Sequence, residues 1–186
     1  MFFKIKYPKC NSLGWSLVKL LGATCLALSI SGCEEDLVPD DSALEQDGRA
    51  SVNTYVDTFS VNLTTGENLE LTTRLETRDA VVFYFTMWCP ICDSHMNHIR
   101  KSLVNAYPNV AFVMVDYVSG NTADSRASQL AGGYGSLDVV ADTDDFLQIL
   151  LQGTMGSIAV VDKNQVIQLN EYFRNDENLT RVLNQL

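Results

Sequence analysis

The sequence predicts an α/β domain with a central mixed sheet and helices on both faces, and three observations carry that expectation. Two continuous apolar runs, AVVFYFT at 80–86 and VAFVMV at 110–115, read as strands buried on both faces. Segments of helical character follow each run. The chain then closes on a strand pair and a last helix, so that strands alternate with helices before a terminal hairpin.

In order along the chain, residues 52–63 alternate in part and meet the turn Thr64-Thr65-Gly66-Glu67, after which 68–72 looks extended, an N-terminal β-hairpin. The strand at 80–86 runs into Trp88-Cys89-Pro90-Ile91-Cys92 and a helix from Pro90 to about Ala106, closed by Tyr107-Pro108-Asn109. After the strand at 110–115 come a helix at 123–130, a break at Gly132, Gly133 and Gly135, and a short strand at 137–141. Asp142-Thr143 is placed to cap a helix over 144–151, with Asp144 and Asp145 suited to its positive end. Residues 158–162 and 166–170 form a hairpin around Lys163-Asn164, and a helix covers 176–186.

The 186 residues suffice for one domain with a sizeable core. A charged fraction of 19% and a mean hydropathy of +0.02 exclude a wholly disordered chain and a multi-span membrane protein. Net charge is −10, which argues against a nucleic-acid partner, because neutralising phosphates needs a basic face. The charge is unevenly spread. Residues 1–33 hold Lys4, Lys6, Lys9 and Lys19 and no acid, whereas 34–186 carries 23 acids against nine bases.

That basic start leads into LLGATCLALSI, the length of a signal-peptide apolar region, and ends in Ile30-Ser31-Gly32-Cys33. This resembles the bacterial lipobox. The resemblance implies cleavage before Cys33, acylation of that residue, and a domain held at a bacterial membrane from the periplasmic side. Glu34 is no clean match to the Asp that marks inner-membrane retention, so the outer membrane is favoured over the inner. Residues 1–32 are then a lipoprotein signal peptide. Residues 33–51, with EEDLVPDDSALEQDGRAS after the cysteine, are a lipidated acidic tether, and 52–186 form the domain. Cys10 and Cys25 leave with the signal peptide and Cys33 takes the lipid. Of the five cysteines, only Cys89 and Cys92 remain, in an oxidising compartment.

A strand leading into a CxxC at a helix start is suited to redox exchange. The helix N-terminus stabilises a thiolate at Cys89 and makes it the attacking sulfur. Pro90 fits the first helical turn, where its missing N–H costs nothing. Cys92 lies almost one turn on, close enough to attack a mixed disulfide on Cys89. Trp88 shields the site from one side. Half of a zinc or copper site, with His95 and His98 as further donors, and an inert disulfide are the competing readings of the pair.

Residues 52–186 resemble the thioredoxin-like group that contains membrane-tethered TlpA/ResA-type disulfide reductases and the AhpC/TSA redoxins. The matching pieces are FSVNLTTGENLEL, VVFYFTMWCPIC, AFVMVDY, DVVADTDDFLQILL and IAVVDKNQVI. The resemblance implies a thioredoxin fold, with Cys89 as nucleophile and Cys92 as resolving thiol. It calls for protein thiols or disulfides as substrates, an unidentified redox partner that recycles the site, and no cofactor.

Three departures stand out. The cis-proline that faces the active site in this group is absent from Gly153-Thr154-Met155-Gly156-Ser157, where Met155 or Gly156 takes its place. A trans peptide is expected there, because a non-proline cis bond costs about 2.5–4 kcal/mol. Substrate contact is expected from Trp88, Pro90, Thr154, Met155 and Gly156. Phe83 occupies the position of the buried acid six residues before the first cysteine, and His95 stands where TlpA/ResA-type proteins place a glutamate. His95 is therefore the candidate proton relay for Cys92, against the plainer reading of a solvated surface histidine. The third departure is the Pro-Ile dipeptide between the cysteines, followed by Asp93, whose charge opposes a low thiolate pKa.

Two alternatives from other classes stay open. Thr86, three residues before Cys89, and Pro90 echo a peroxiredoxin loop, with Arg126 as a candidate for its arginine, though Val82 stands where that loop has a proline. Cys89, Cys92 and His95 also suit a copper chaperone.

Overall fold

The computed structural model describes residues 50–186. The leader, Cys33 and most of the tether lie outside the described residues.

The hairpin forms as expected: β1 (Ser60–Asn62) pairs antiparallel with β2 (Asn68–Glu70), and Val61 faces Leu69 in register. Gly66 takes φ +88 in the turn, a conformation that a side chain would disfavour. The extended reading of 68–72 stops short, because Leu71 begins helix α1 (Leu71–Glu76). Leu71 and Leu75, four residues apart, share one face of that helix and are both buried.

The main sheet has five strands: β3 (Ala80–Thr86), β4 (Val110–Asp116), β5 (Asp138–Ala141), β6 (Ser157–Asp162) and β7 (Ile167–Tyr172). Their order is β5-β4-β3-β6-β7. β3, β4 and β5 run parallel, β6 is antiparallel to β3, and β7 is antiparallel to β6, with a register shift at Val160/Val161. The unbroken apolar run of β3 follows from this position, since every residue of the central strand is buried.

Strand alternation splits the core in two. Val81, Phe83 and Phe85 pack with the hairpin, α1 and helix α5 (Phe146–Leu151) on one face. Val82 and Tyr84 pack on the other with helix α2 (Pro90–His98), the π-helical turn Ile99–Leu103 that continues it, and helix α6 (Glu177–Leu183). The expected helix to Ala106 is this run completed by α3 (Val104–Ala106). Helix α4 (Thr122–Ala131) leads into the glycine-rich break.

Asp142 caps α5 as expected, although the helix starts two residues later than its sequence suggests. The two oxygens of Asp142 accept from Leu147 N–H at 3.0 Å and Gln148 N–H at 2.8 Å. Asp145, in the left-handed region at φ 57, turns the chain into the first helical residue.

Candidate active site

The site forms where β3 ends and α2 begins. Cys89 occupies the helix N-cap position with extended backbone (φ −80, ψ 162), and Pro90 opens the first turn. Cys89 Sγ accepts a hydrogen bond from Cys92 N–H at 3.2 Å. That N–H has no partner within its own helix turn, so the sulfur meets the positive end of α2 directly. Cys89 and Cys92 are joined as a disulfide with their Cα atoms 5.0 Å apart. Cys92 is buried beneath, while Cys89 stays partly accessible. The two sulfurs thus differ in environment, the outer one reachable and the inner one shielded.

Trp88 is bent into place. Its φ of +57 lies in a region that a bulky residue rarely enters, at a cost of about 1–3 kcal/mol. Two hydrogen bonds hold it there. Its backbone N–H donates to Thr86 Oγ1 at 3.1 Å, and its indole N–H donates to Asp116 Oδ2 at 2.7 Å. Asp116 closes β4 beside Thr86 in the parallel register and accepts at Oδ1 from Val118 N–H and Ser119 N–H. Burial pushes the Asp116 carboxyl up, but hydrogen bonds from Ser119, Trp88 and the Val118 N–H outweigh it and hold the group below its ordinary value.

The segment facing the pair is pinned at both ends. Gly153 N–H donates to Gln148 C=O and Gly156 N–H to Phe85 C=O, both at 2.9 Å, while Phe173 N–H donates to Gly156 C=O at 2.8 Å. Thr154 and Ser157 close a small ring through Thr154 N–H to Ser157 Oγ and Ser157 N–H to Thr154 C=O. No peptide bond among the described residues is cis, as expected for a segment without proline. Gly156 supplies the turn at φ +76. Gly153 lies so close to Phe85 that a methyl group there would overlap the ring. The result presents Met155 to the cysteines, with Sδ 3.8 Å from Cys89 Sγ.

His95 is not a freely solvated surface residue. Its Nδ1 lies 2.9 Å from the Tyr84 hydroxyl, and its ring packs edge-on against Tyr84 and Phe173, with centroids at 5.8 and 5.1 Å. Burial is the main cause that lowers its pKa, with His98 adding to it. Burial likewise drives the Tyr84 pKa upward, so the phenol keeps its proton while it pairs with Nδ1. His98 pairs instead with Asp176 at 3.1 Å. The Asp93 carboxylate accepts from the Tyr134 hydroxyl, whose own pKa is pushed up to about 12 by burial and by Asp93. Trp88, Asp93, Met96 and Tyr134 line a cleft of about 260 Å³ beside the pair.

Thr86 lies fully buried below Trp88, and Arg126 donates to Gln129 at 2.7 Å. Among the described residues no group of three or more His, Cys, Asp or Glu is placed to hold a metal ion. Sequence reasoning missed Asp116, Tyr84, Tyr134 and Phe173. The signal for Asp116 was present, since it is the one charged residue ending an otherwise apolar strand, level with Thr86 at the end of β3.

No family model matches the chain, and no curated protein matches it by sequence. Solved structures do match. The thioredoxin domain of a thiol-disulfide oxidoreductase from Bacteroides vulgatus superposes with a TM-score of 0.58 at 16% identity, covering 73% of this chain and 97% of the other. DsbF of Mycobacterium tuberculosis gives 0.57 at 20% identity, covering 68% and 93%. The peroxidoxin BcpB of the same organism gives 0.55 at 15%, covering 72% and 94%. The chain has a thioredoxin fold, shared with thiol-disulfide oxidoreductases and a peroxidoxin.

Proposed function

We propose that this protein is a thiol–disulfide oxidoreductase acting on protein thiols and disulfides. The observation that carries this reading is the Cys89–Cys92 disulfide at the start of α2, with an accessible sulfur on the helix N-terminus and a shielded one one turn below. In the reducing direction, the Cys89 thiolate attacks a substrate disulfide, forming one S–S bond and releasing one substrate thiolate. Cys92, as its thiolate, then attacks Cys89 Sγ, closing the internal disulfide and releasing the second substrate thiolate. The oxidising direction is the reverse. A recycling partner restores the starting state.

Met87, Ile91, Val118 and Met155 are exposed apolar side chains on the segments that surround or face Cys89, and they give a polypeptide a surface to rest on. Trp88 and Pro90 flank the sulfur, and Thr154, Met155 and Gly156 form the opposite wall. His95 is the residue we assign to take up the Cys92 proton, with its Nδ1 held by the Tyr84 hydroxyl. Its lowered pKa keeps the ring neutral near pH 7.

We also propose that the chain is lipidated at Cys33 and works in the periplasm. That proposal rests on the basic leader, the apolar stretch and the Ile-Ser-Gly-Cys ending. Incorporation of labelled palmitate by the parent, and none by Cys33→Ser, is the expected result.

The deciding experiment equilibrates the protein in glutathione and dithiothreitol buffers. A midpoint below about −250 mV assigns a reductase and one above about −180 mV an oxidant or isomerase. Cys92→Ser should accumulate mixed disulfides through Cys89. A pair that cannot be cycled removes the oxidoreductase reading.

A further inference from the structure

Met155 brings a third sulfur to the cysteine pair. Its Sδ lies 3.8 Å from Cys89 Sγ, while Cys92 Sγ is bonded to Cys89 Sγ directly. Met155 is 42% exposed and Cys89 partly accessible, so a small ion reaches two of the three sulfurs directly, and the third, on Cys92, lies buried against Cys89. The imidazole nearest in sequence, His95, has Nδ1 engaged by Tyr84 and its ring packed against Phe173.

We propose that, once the disulfide is reduced, Cys89, Cys92 and Met155 form a three-sulfur site for copper(I). Two thiolates and a thioether are soft ligands, the set that selects copper(I) over harder ions. Spacing supports the same conclusion. With metal–sulfur bonds of about 2.3 Å, sulfurs sharing one ion lie about 3.7–4.0 Å apart in tetrahedral or trigonal arrangement. The Cys89–Met155 separation falls within that span without movement. Met155 is also held in advance, because hydrogen bonds pin Gly153, Thr154, Gly156 and Ser157 on both sides of it. The Cys92 N–H already directed at Cys89 Sγ and the positive end of α2 favour the extra negative charge.

The chemistry balances without any change in copper oxidation state. A dithiol or phosphine reductant supplies two electrons, and two protons complete the two thiols. Binding of Cu⁺ then forms three Cu–S bonds and displaces both thiol protons to solvent, leaving a site of charge −1.

The test uses the full chain in detergent with Cys10, Cys25 and Cys33 replaced by Ser, reduced with a phosphine under argon. It is titrated with copper(I) in competition with bicinchoninate. One ion per chain is expected for this parent and none for Cys89→Ser. Even an outer partner of a metal ligand typically contributes about tenfold or more in affinity, so Met155→Leu and Met155→Gln should each weaken binding at least that much. Met155→Cys should bind as tightly as the parent, and X-ray absorption should show three sulfur neighbours and no nitrogen. Both Met155 variants should melt close to the parent, because the side chain lies at the surface. Parent-like affinity in both variants would reduce the sulfur contact to packing and overturn the proposal. Nitrogen in the copper shell with loss of binding in His95→Ala, or no binding by the folded parent, would overturn it too. The titration needs only a chemically reduced pair, so failure of disulfide exchange leaves it intact, and absence of copper binding leaves exchange intact.

Discussion

Gly153→Ala tests how the segment facing the cysteines is supported. A Cβ at residue 153 would sit 2.2 Å from Phe85 Cε1 and Cζ and 2.4 Å from Cδ1. Carbon atoms rest about 3.5–4.0 Å apart, so the ring must retreat by more than about 1 Å. It has little room to do so. Phe85 is fully buried in the cluster that includes Leu147, Leu151 and Val115, with the Tyr117 ring 6.3 Å away. Overpacking of this kind costs about 1–3 kcal/mol, and the depth of the overlap points to the upper end. For a domain of this size that corresponds to a Tm lower by roughly 8–12 °C. The assay is a double-mutant cycle of thermal and urea unfolding with Phe85→Leu, which removes the atoms that are struck. The double variant should lose clearly less than the two single losses combined, by at least about 1 kcal/mol. A Gly153→Ala protein within about 0.5 kcal/mol of the parent, or simple additivity, would refute the reasoning. Gly156→Ala provides a contrast: nothing lies within 4 Å of its Cβ position, but φ is +76, so a loss of about 1–2 kcal/mol should appear that Phe85→Leu does not relieve.

Other expectations follow from single interactions. Asp116→Ala leaves the Trp88 indole and two backbone N–H groups without their acceptor, and should cost about 1–3 kcal/mol with a changed tryptophan fluorescence. Because the folded-state pKa of Asp116 is depressed, its contribution is present above the ordinary aspartate value of 3.8 and is lost as pH falls through the folded value; Asp116→Asn should flatten that part of the acid unfolding profile. His95 behaves as a base held neutral. Its folded pKa is lowered, chiefly by burial, so the stability it contributes is fully present above about pH 6.5 and declines as pH falls toward the folded value, and its NMR titration should fall below that of a free imidazole. Nitrogen NMR at pH 7 should show the proton on Nε2, with the Tyr84 hydroxyl donating to Nδ1, and Tyr84→Phe should mix the tautomers and alter the pH dependence of disulfide exchange.

The sequence made the strands and the cysteine pair legible because their signals are local. The β3 run at 80–86 is apolar without interruption, which only a strand covered on both faces requires, and its observed bounds are the expected ones. CxxC at a strand-to-helix junction carried its own geometry. Helix α1 escaped because six residues offer too little periodicity to separate Leu71 and Leu75 from an extended chain. The setting of His95 escaped for a different reason. Nothing near position 95 announces that Phe173, 78 residues later, packs against its ring, or that the hydroxyl of a core tyrosine reaches Nδ1. Asp93 was expected to act on the thiolate as a bare charge. Its carboxylate instead accepts the Tyr134 hydroxyl from beyond the glycine-rich break, a partner that only tertiary structure supplies.

The order in which the chain is made gives β3 a further consequence. One of its flanking strands, β4, follows within about one helix and a turn, but the other, β6, begins only at Ser157. A chain synthesised from its N-terminus therefore completes Cys89 and Cys92 long before Gly153–Ser157 exists to cover them. The two thiols, only three positions apart, are able to meet an oxidant or a soft metal ion while the wall that carries Met155 has still to be made. The state in which the pair first enters the folded protein is thus open to the surroundings of the nascent chain, before the finished site has any selectivity of its own.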